Sequence, residues 1–206
     1  MNHFLDLNSD FESAVSEASR VLNDGKLVLL PTDTVYGIAA IPTNKSAVKE
    51  IFQRKKRLDD QACAVLVSKA SQASELVASS TEFELLSQKF WPGPLTIVTE
   101  RAKQLSYFLG GDENSIGIRC PDHGFMQSLT EVVGPLAVTS ANRSGLQTPE
   151  TAKEAAEQLG KNLLVIDGGK CKGKPSTVVN LLSNETKILR EGALSSEDLI
   201  AAGLRL

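Results

Sequence analysis

A chain of 206 residues with 41% hydrophobic and 23% charged residues has ordinary globular proportions, and it is long enough to bury a core as a single domain over 1–206 without disulfide or metal staples. Its formal net charge of −3 excludes an overall basic field for nucleic acid or a membrane surface. No apolar run approaches membrane-spanning length, no signal peptide is visible, and Cys63, Cys120 and Cys171 form no CxxC pair; the expectation is a reduced cytoplasmic protein with no membrane span and buried thiols.

His3 is expected at a frayed terminus. Asp10 is placed to cap a helix whose apolar face is Phe11, Val15, Ala18 and Leu22, and "NDG" (Asn23 to Gly25) ends it. "KLVLL" is a buried strand, Leu27–Leu30. It opens the stretch "LLPTDTVYGIAA" (Leu29 to Ala40), where Pro31 stops pairing and two threonines, an aspartate and a tyrosine precede a small-residue run. Asn44 caps a helix carrying Val48, Ile51 and Phe52 that runs into "RKKR", Arg54 to Arg57. "CAVLV" (Cys63 to Val67) is a strand, and Ser71 to Phe90 is a helical region. "WPGP" (Trp91 to Pro94) is a rigid turn. "LTIVT" and "SIGIRC" are strands. His123, in "PDHG", is expected in an exposed turn. Helix "FMQSLTEVV", strand "PLAVT", helix "PETAKEAAEQL", strands "LLVID", "STVVN" and "KILR", and helix "SSEDLIAAG" complete the chain. No repeat or linker divides it. Irregular interleaving of helices and strands predicts a layered α/β domain with a mixed sheet.

Ligands in such sheets sit beyond strand ends, where loops converge. Four strands end in functional groups: "PTDT" after Leu30, Arg119 in "IGIRCP", "SAN" after Thr139, and Arg190 in "REG". One helix ends in "RKKR". Each alone has a structural explanation: an Asx-turn, a cap, a snorkelling cation, or a solvated helix end. One anion site explains all five together. Three arginines and a lysine can neutralise phosphates or carboxylates, and Ser140, Asn142 and Thr34 can orient them. No nucleophile–base pair accompanies them, so such a site acts by positioning and charge stabilisation, as in transfer at a nucleotide phosphate. "GGKCKGKPST" imitates a phosphate loop, but Pro175 holds the hydroxyl position and a strand follows where a helix is required.

"LLPTDTVYGIAA", "KKR" (Lys55 to Arg57), "WPGPLTIV", "SIGIRCP", "PLAVTSANRSG", "VIDGG", "PSTVVN" and "ILREG" occur in one order. Together they resemble the YrdC/TsaC family of threonylcarbamoyl-AMP synthases, from about Leu27 to Gly192. The resemblance implies an α/β fold with an open twisted mixed sheet, flanked by helices, around a positively charged cavity. It implies synthesis of threonylcarbamoyl-AMP and pyrophosphate from L-threonine, bicarbonate and ATP, with Mg2+ accompanying ATP and no protein metal site. A downstream tRNA threonylcarbamoyl transferase complex would take the product, and weak tRNA contact is compatible with it.

By that resemblance Lys55 and Arg57 are catalytic and bind ATP. Ser140, Asn142, Thr148, Arg190, Ser115 and Gln61 are further ATP-side residues, and Thr34, Arg119 and Ser176 bind threonine. Asp33 is expected to orient a neighbour or meet a cation, and Tyr36 to pack. The sequence departs from the family where "RLDDQAC" follows Lys55 to Arg57 without the two usual prolines, which predicts a more mobile loop. The chain resembles the short, single-domain form. Two rivals remain open at this stage: an RNA-binding module, and a paralogue similar to the YciO branch that binds nucleotide without this reaction.

Overall fold

The computed structural model describes residues 1–204 other than 59, 60, 79, 172 and 184. Helix α1 (Phe11–Asn23) starts where the Asp10 carboxylate accepts from the Ser13 N–H at 2.9 Å. One face of it is buried, through Ala14, Val15, Ala18, Val21 and Leu22. Strand β2 (Val28–Leu30) is buried on both faces. Val28 and Leu30 join the core with α1, while Leu27 and Leu29 join the core on the other side, as a period of two requires. After Pro31 the chain turns through 32–36 and returns as β3 (Gly37–Ala40), antiparallel to β2 with Leu29 opposite Ile38. The small-residue run is therefore a strand in its own right.

Helix α2 (Lys45–Lys55) is capped by Asn44 and ends at Lys56, which takes a left-handed backbone (φ 51°). Then follow β4 (Ala64–Leu66), α3 (Ala70–Ser74), α4 (Thr81–Phe90), β5 (Leu95–Glu100), β6 (Ser115–Arg119), α5 (Gly124–Val133) and β7 (Leu136–Ser140). The chain continues through α6 (Ala152–Leu159), β8 (Leu164–Asp167), β9 (Thr177–Asn180), β10 (Lys187–Arg190) and α7 (Ser196–Ala201). The helical region expected from Ser71 to Phe90 is thus two helices.

With β1 (His3–Asp6) the strands form one mixed sheet in the order β1-β8-β2-β3-β7-β4-β6-β5-β9-β10. The pairs β1–β8, β2–β8, β4–β6 and β5–β9 are parallel, and the other five are antiparallel. Residues of α1 and α5 pack in one core, and residues of α2, α4 and α6 in the other. This is the expected α/β mixed sheet flanked by helices.

Two histidine expectations are corrected. His3 is not frayed. It opens β1, opposite Leu164, and its N–H donates to Leu163 O at 2.9 Å. His123 is half-buried at the start of α5, with its ring 6.5 Å from that of Phe125.

Candidate active site

The turn after β2 is built by threonines. Thr32 Oγ1 accepts from the N–H groups of Thr34 and Val35, at 3.2 and 3.1 Å. It donates to Val35 O at 2.7 Å. The turn is closed locally, so its remaining polar atoms are available to other elements. Arg119, at the end of β6 and only 5% exposed, uses them. Its Nη1 donates to Thr34 Oγ1 at 2.9 Å and its Nη2 meets Asp33 Oδ1 at 2.5 Å. Its Nε donates to Gly93 O at 3.0 Å, within the "WPGP" turn. Burial pulls the Arg119 pKa down and the Asp33 carboxylate opposes that pull. Asp33 thus meets a cation, as the sequence suggests.

A second group of cations forms where α2 ends beside β7. Lys55 is 2% exposed. Its ammonium donates to Ser140 O and, at 2.6 Å, to Asn142 O. Burial first, and the nearby Arg57 charge second, push its pKa down to about 8. Arg57 Nη1 donates to Thr139 Oγ1 at 2.8 Å and Nη2 to Ala62 O at 3.0 Å. Ser140 Oγ donates to Asn142 Oδ1 at 2.6 Å, and Asn142 Nδ2 to Leu146 O at 2.8 Å. The "SAN" corner is therefore locked internally and held from below by Lys55.

The third contribution comes from β5, β9 and β10. Parallel pairing of β5 with β9 sets Thr96 opposite Val178. Thr96 Oγ1 and Ser176 Oγ are 2.8 Å apart. Arg190 holds Ser176 through its carbonyl, at 3.1 Å from Nε and 2.9 Å from Nη2, and through its hydroxyl at 3.1 Å. Burial lowers the Arg190 pKa, and the charges of Arg119 and Arg57 lower it further. Only glycine fits at 192, because a Cβ there would stand 2.1 Å from Pro175 O.

Gly168, Gly169 and Gly173 lie against the first turn. The Tyr36 hydroxyl donates to Gly169 O at 2.7 Å and accepts from Gly168 N at 3.1 Å. Tyr36 therefore does more than pack. A Cβ at Gly173 would stand 2.7 Å from Thr34 O. Strand β9 follows this segment and no helix does, so it is not a phosphate loop.

These elements enclose a cavity of about 660 Å³, a size suited to small ligands. Lys55, Lys56, Arg57, Arg119 and Arg190 line it, and no Asp or Glu does among the described residues. Thr34, Ser115, Ser140, Asn142, Ser176 and Gln61 also line it, so the structure brings together all the candidate residues but one. Thr148 is the exception. It is not among the lining residues and sits ahead of Thr151, which caps α6. The sequence reading missed Lys56, Thr96 and Thr139. Lys56 and Thr139 adjoin recognised motifs; Thr96 carries no local signal, since a β-branched residue in a strand is unremarked. Among the described residues no group of three His, Cys, Asp or Glu side chains could hold a metal ion.

The family model described as "Telomere recombination", covering Sua5, YciO and YrdC proteins, matches residues 20–192. The chain belongs to that family. The threonylcarbamoyl-AMP synthase of Pyrococcus abyssi is 36% identical over 186 residues, which are 88% of this chain and 55% of that protein. This chain thus spans little more than half the length of that relative. A Mycobacterium tuberculosis relative is 37% identical over 186 residues, covering 89% of this chain and 86% of its own length. The crystal structure of P. abyssi Sua5 complexed with L-threonine superposes with a TM-score of 0.88 at 31% identity, covering 98% of this chain and 60% of that one.

Proposed function

We propose that this chain is an L-threonylcarbamoyladenylate synthase, a nucleotidyltransferase making threonylcarbamoyl-AMP and pyrophosphate from L-threonine, bicarbonate and ATP. One observation carries the reading. A single cavity holds the Arg119 fork beside the Thr34 hydroxyl together with three further cations, Lys55, Arg57 and Arg190, the last of them on the Ser176 hydroxyl. The first suits an amino-acid carboxylate, and the second a polyphosphate. The P. abyssi relatives named above support the same assignment.

The threonine amine combines with bicarbonate to give a carbamate and water. A carbamate oxygen then forms the new bond to the α-phosphorus of ATP, and the bond to the β-phosphate oxygen breaks as pyrophosphate leaves. Lys55, Arg57 and Arg190 stabilise the charge that develops on the phosphates, and Arg119 and Thr34 fix the amino acid. Mg2+ enters as part of the ATP substrate, keeping mostly water ligands. A tRNA threonylcarbamoyl transferase consumes the product in the cytoplasm. The free thiols of Cys63, Cys120 and Cys171 fit a reducing compartment.

The test is pyrophosphate release from purified protein with ATP, Mg2+, bicarbonate and each amino acid in turn. Release that requires both L-threonine and bicarbonate is expected. ATP binding without threonine-dependent release would overturn the proposal.

A further inference from the structure

A cavity lined by five cations faces a selection problem. ATP carries its charge on phosphates, and any exposed guanidinium attracts them. The amino-acid end must remain open to a single carboxylate while a polyanion is present. Of Lys55, Arg119 and Arg190, only Arg119 has a carboxylate partner among the described residues. That partner, Asp33, is not a cavity-lining residue. Its side chain is 13% exposed and that of Arg119 is 6% exposed, so water screens the pair poorly.

The hydrogen bonds around Arg119 add a geometric constraint. A guanidinium has five N–H donors. Three are committed within the protein, to Gly93 O, Thr34 Oγ1 and Asp33 Oδ1. One N–H remains on each terminal nitrogen, which is the number a carboxylate takes when it binds both prongs. Arg190 offers a contrast. Its hydrogen bonds go to the uncharged Ser176 carbonyl and hydroxyl, and burial first, then the charges of Arg119 and Arg57, lower its pKa.

We propose that Asp33 is a specificity-determining residue that acts through Arg119: it cancels the Arg119 charge, so this end of the cavity selects a carboxylate by hydrogen-bond geometry and does not compete for polyphosphate. The inference rests on the threonine-binding reading given above. It distinguishes the neutralised Arg119 from Lys55 and Arg190, which have no carboxylate partner among the described residues. Asp33 is a positioning residue, since it touches Arg119 and not the substrates.

Inorganic tripolyphosphate is the probe. In the native protein, calorimetric titration of L-threonine is expected to give the same affinity, within about twofold, with and without saturating tripolyphosphate. In Asp33→Asn, which keeps an acceptor oxygen and loses the charge, tripolyphosphate should weaken L-threonine binding by roughly tenfold, about the effect of one uncompensated charge on a neighbouring site. Asp33→Glu, which keeps the charge, should restore the native pattern. A merely structural role would lower the melting temperature without creating competition. Competition between tripolyphosphate and L-threonine in the native protein would overturn the proposal, and that measurement stands even where Asp33→Asn does not fold. Equal insensitivity in native protein and Asp33→Asn would also overturn it. Native protein that fails to bind L-threonine at all would sink the parent reading instead, and the proposal with it.

Discussion

The two ends of the cavity handle buried positive charge in opposite ways. At the β6 end, Arg119 is paired with Asp33 and tied to the threonine turn and the "WPGP" turn. At the α2 end, the Lys55 ammonium has carbonyl partners and a neighbouring arginine, and its pKa falls to about 8. A buried cation with a carboxylate is a fixed structural part. One with only dipoles around it is held at an energetic disadvantage that an arriving anion relieves. The difference separates a residue that must keep one geometry from residues that must answer a changing charge.

The comparison breaks most completely at Arg119. Arg119→Ala strands Asp33 in a low-dielectric site and removes the fork, so stability should fall by about 3–5 kcal/mol. Thermal unfolding would register that fall. Loss of L-threonine binding, with ATP binding retained in the folded fraction, would confirm that the two ends act separately.

Next in size is Arg57→Ala. On the proposed mechanism this removes a cation that stabilises transition-state charge, so turnover should fall on the order of a hundredfold, while L-threonine binding changes little. Steady-state kinetics decide this: an unchanged rate removes Arg57 from the mechanism.

The pH dependence of Lys55 sharpens the contrast, because function and stability should move in opposite directions. The ammonium is present below a pKa of about 8 and is lost above it. The kcat/KM for ATP should therefore fall by up to about tenfold per pH unit above that point. The unfolded chain keeps this proton up to 10.5. Between about 8 and 10.5 the unfolded state binds more protons, so the Lys55 contribution to stability should rise with pH. Lys55→Met should flatten both trends.

The smallest expected effect lies between the two ends. Thr96→Val removes one hydrogen bond to Ser176. It should cost about 1 kcal/mol, read as a roughly fivefold rise in KM for L-threonine without a change in kcat. A rise in KM for ATP instead would assign Thr96 to the other end.

What the sequence made legible, and what it did not, follows from how far each signal reaches along the chain. The "PTDT" turn was visible because Pro31 ends a buried strand and the threonines close the turn locally. The capped helices α1 and α2 were visible through Asp10 and Asn44 for the same reason. Strand β1 was not, because no residue of "HFLD" is buried and the strand forms by pairing with β8, some 160 residues away. Thr96 was not, because its role depends on the parallel register of β5 against β9. Thr148 was placed on the ATP side by the family resemblance alone, and it is not among the residues that line the cavity. His123 was mistaken for an exposed residue because "PDHG" gives the turn and not the packing of Phe125 behind it.

Arg190 sits on β10, one of the sheet's two edge strands, and grips Ser176 just before β9. During synthesis, then, every strand that carries another cavity cation leaves the ribosome before this one. A nascent chain halted short of residue 190 could assemble most of its hydrophobic core and still lack one wall of the cavity. The wall that Arg190 supplies is therefore the last of the cation-bearing walls to be made.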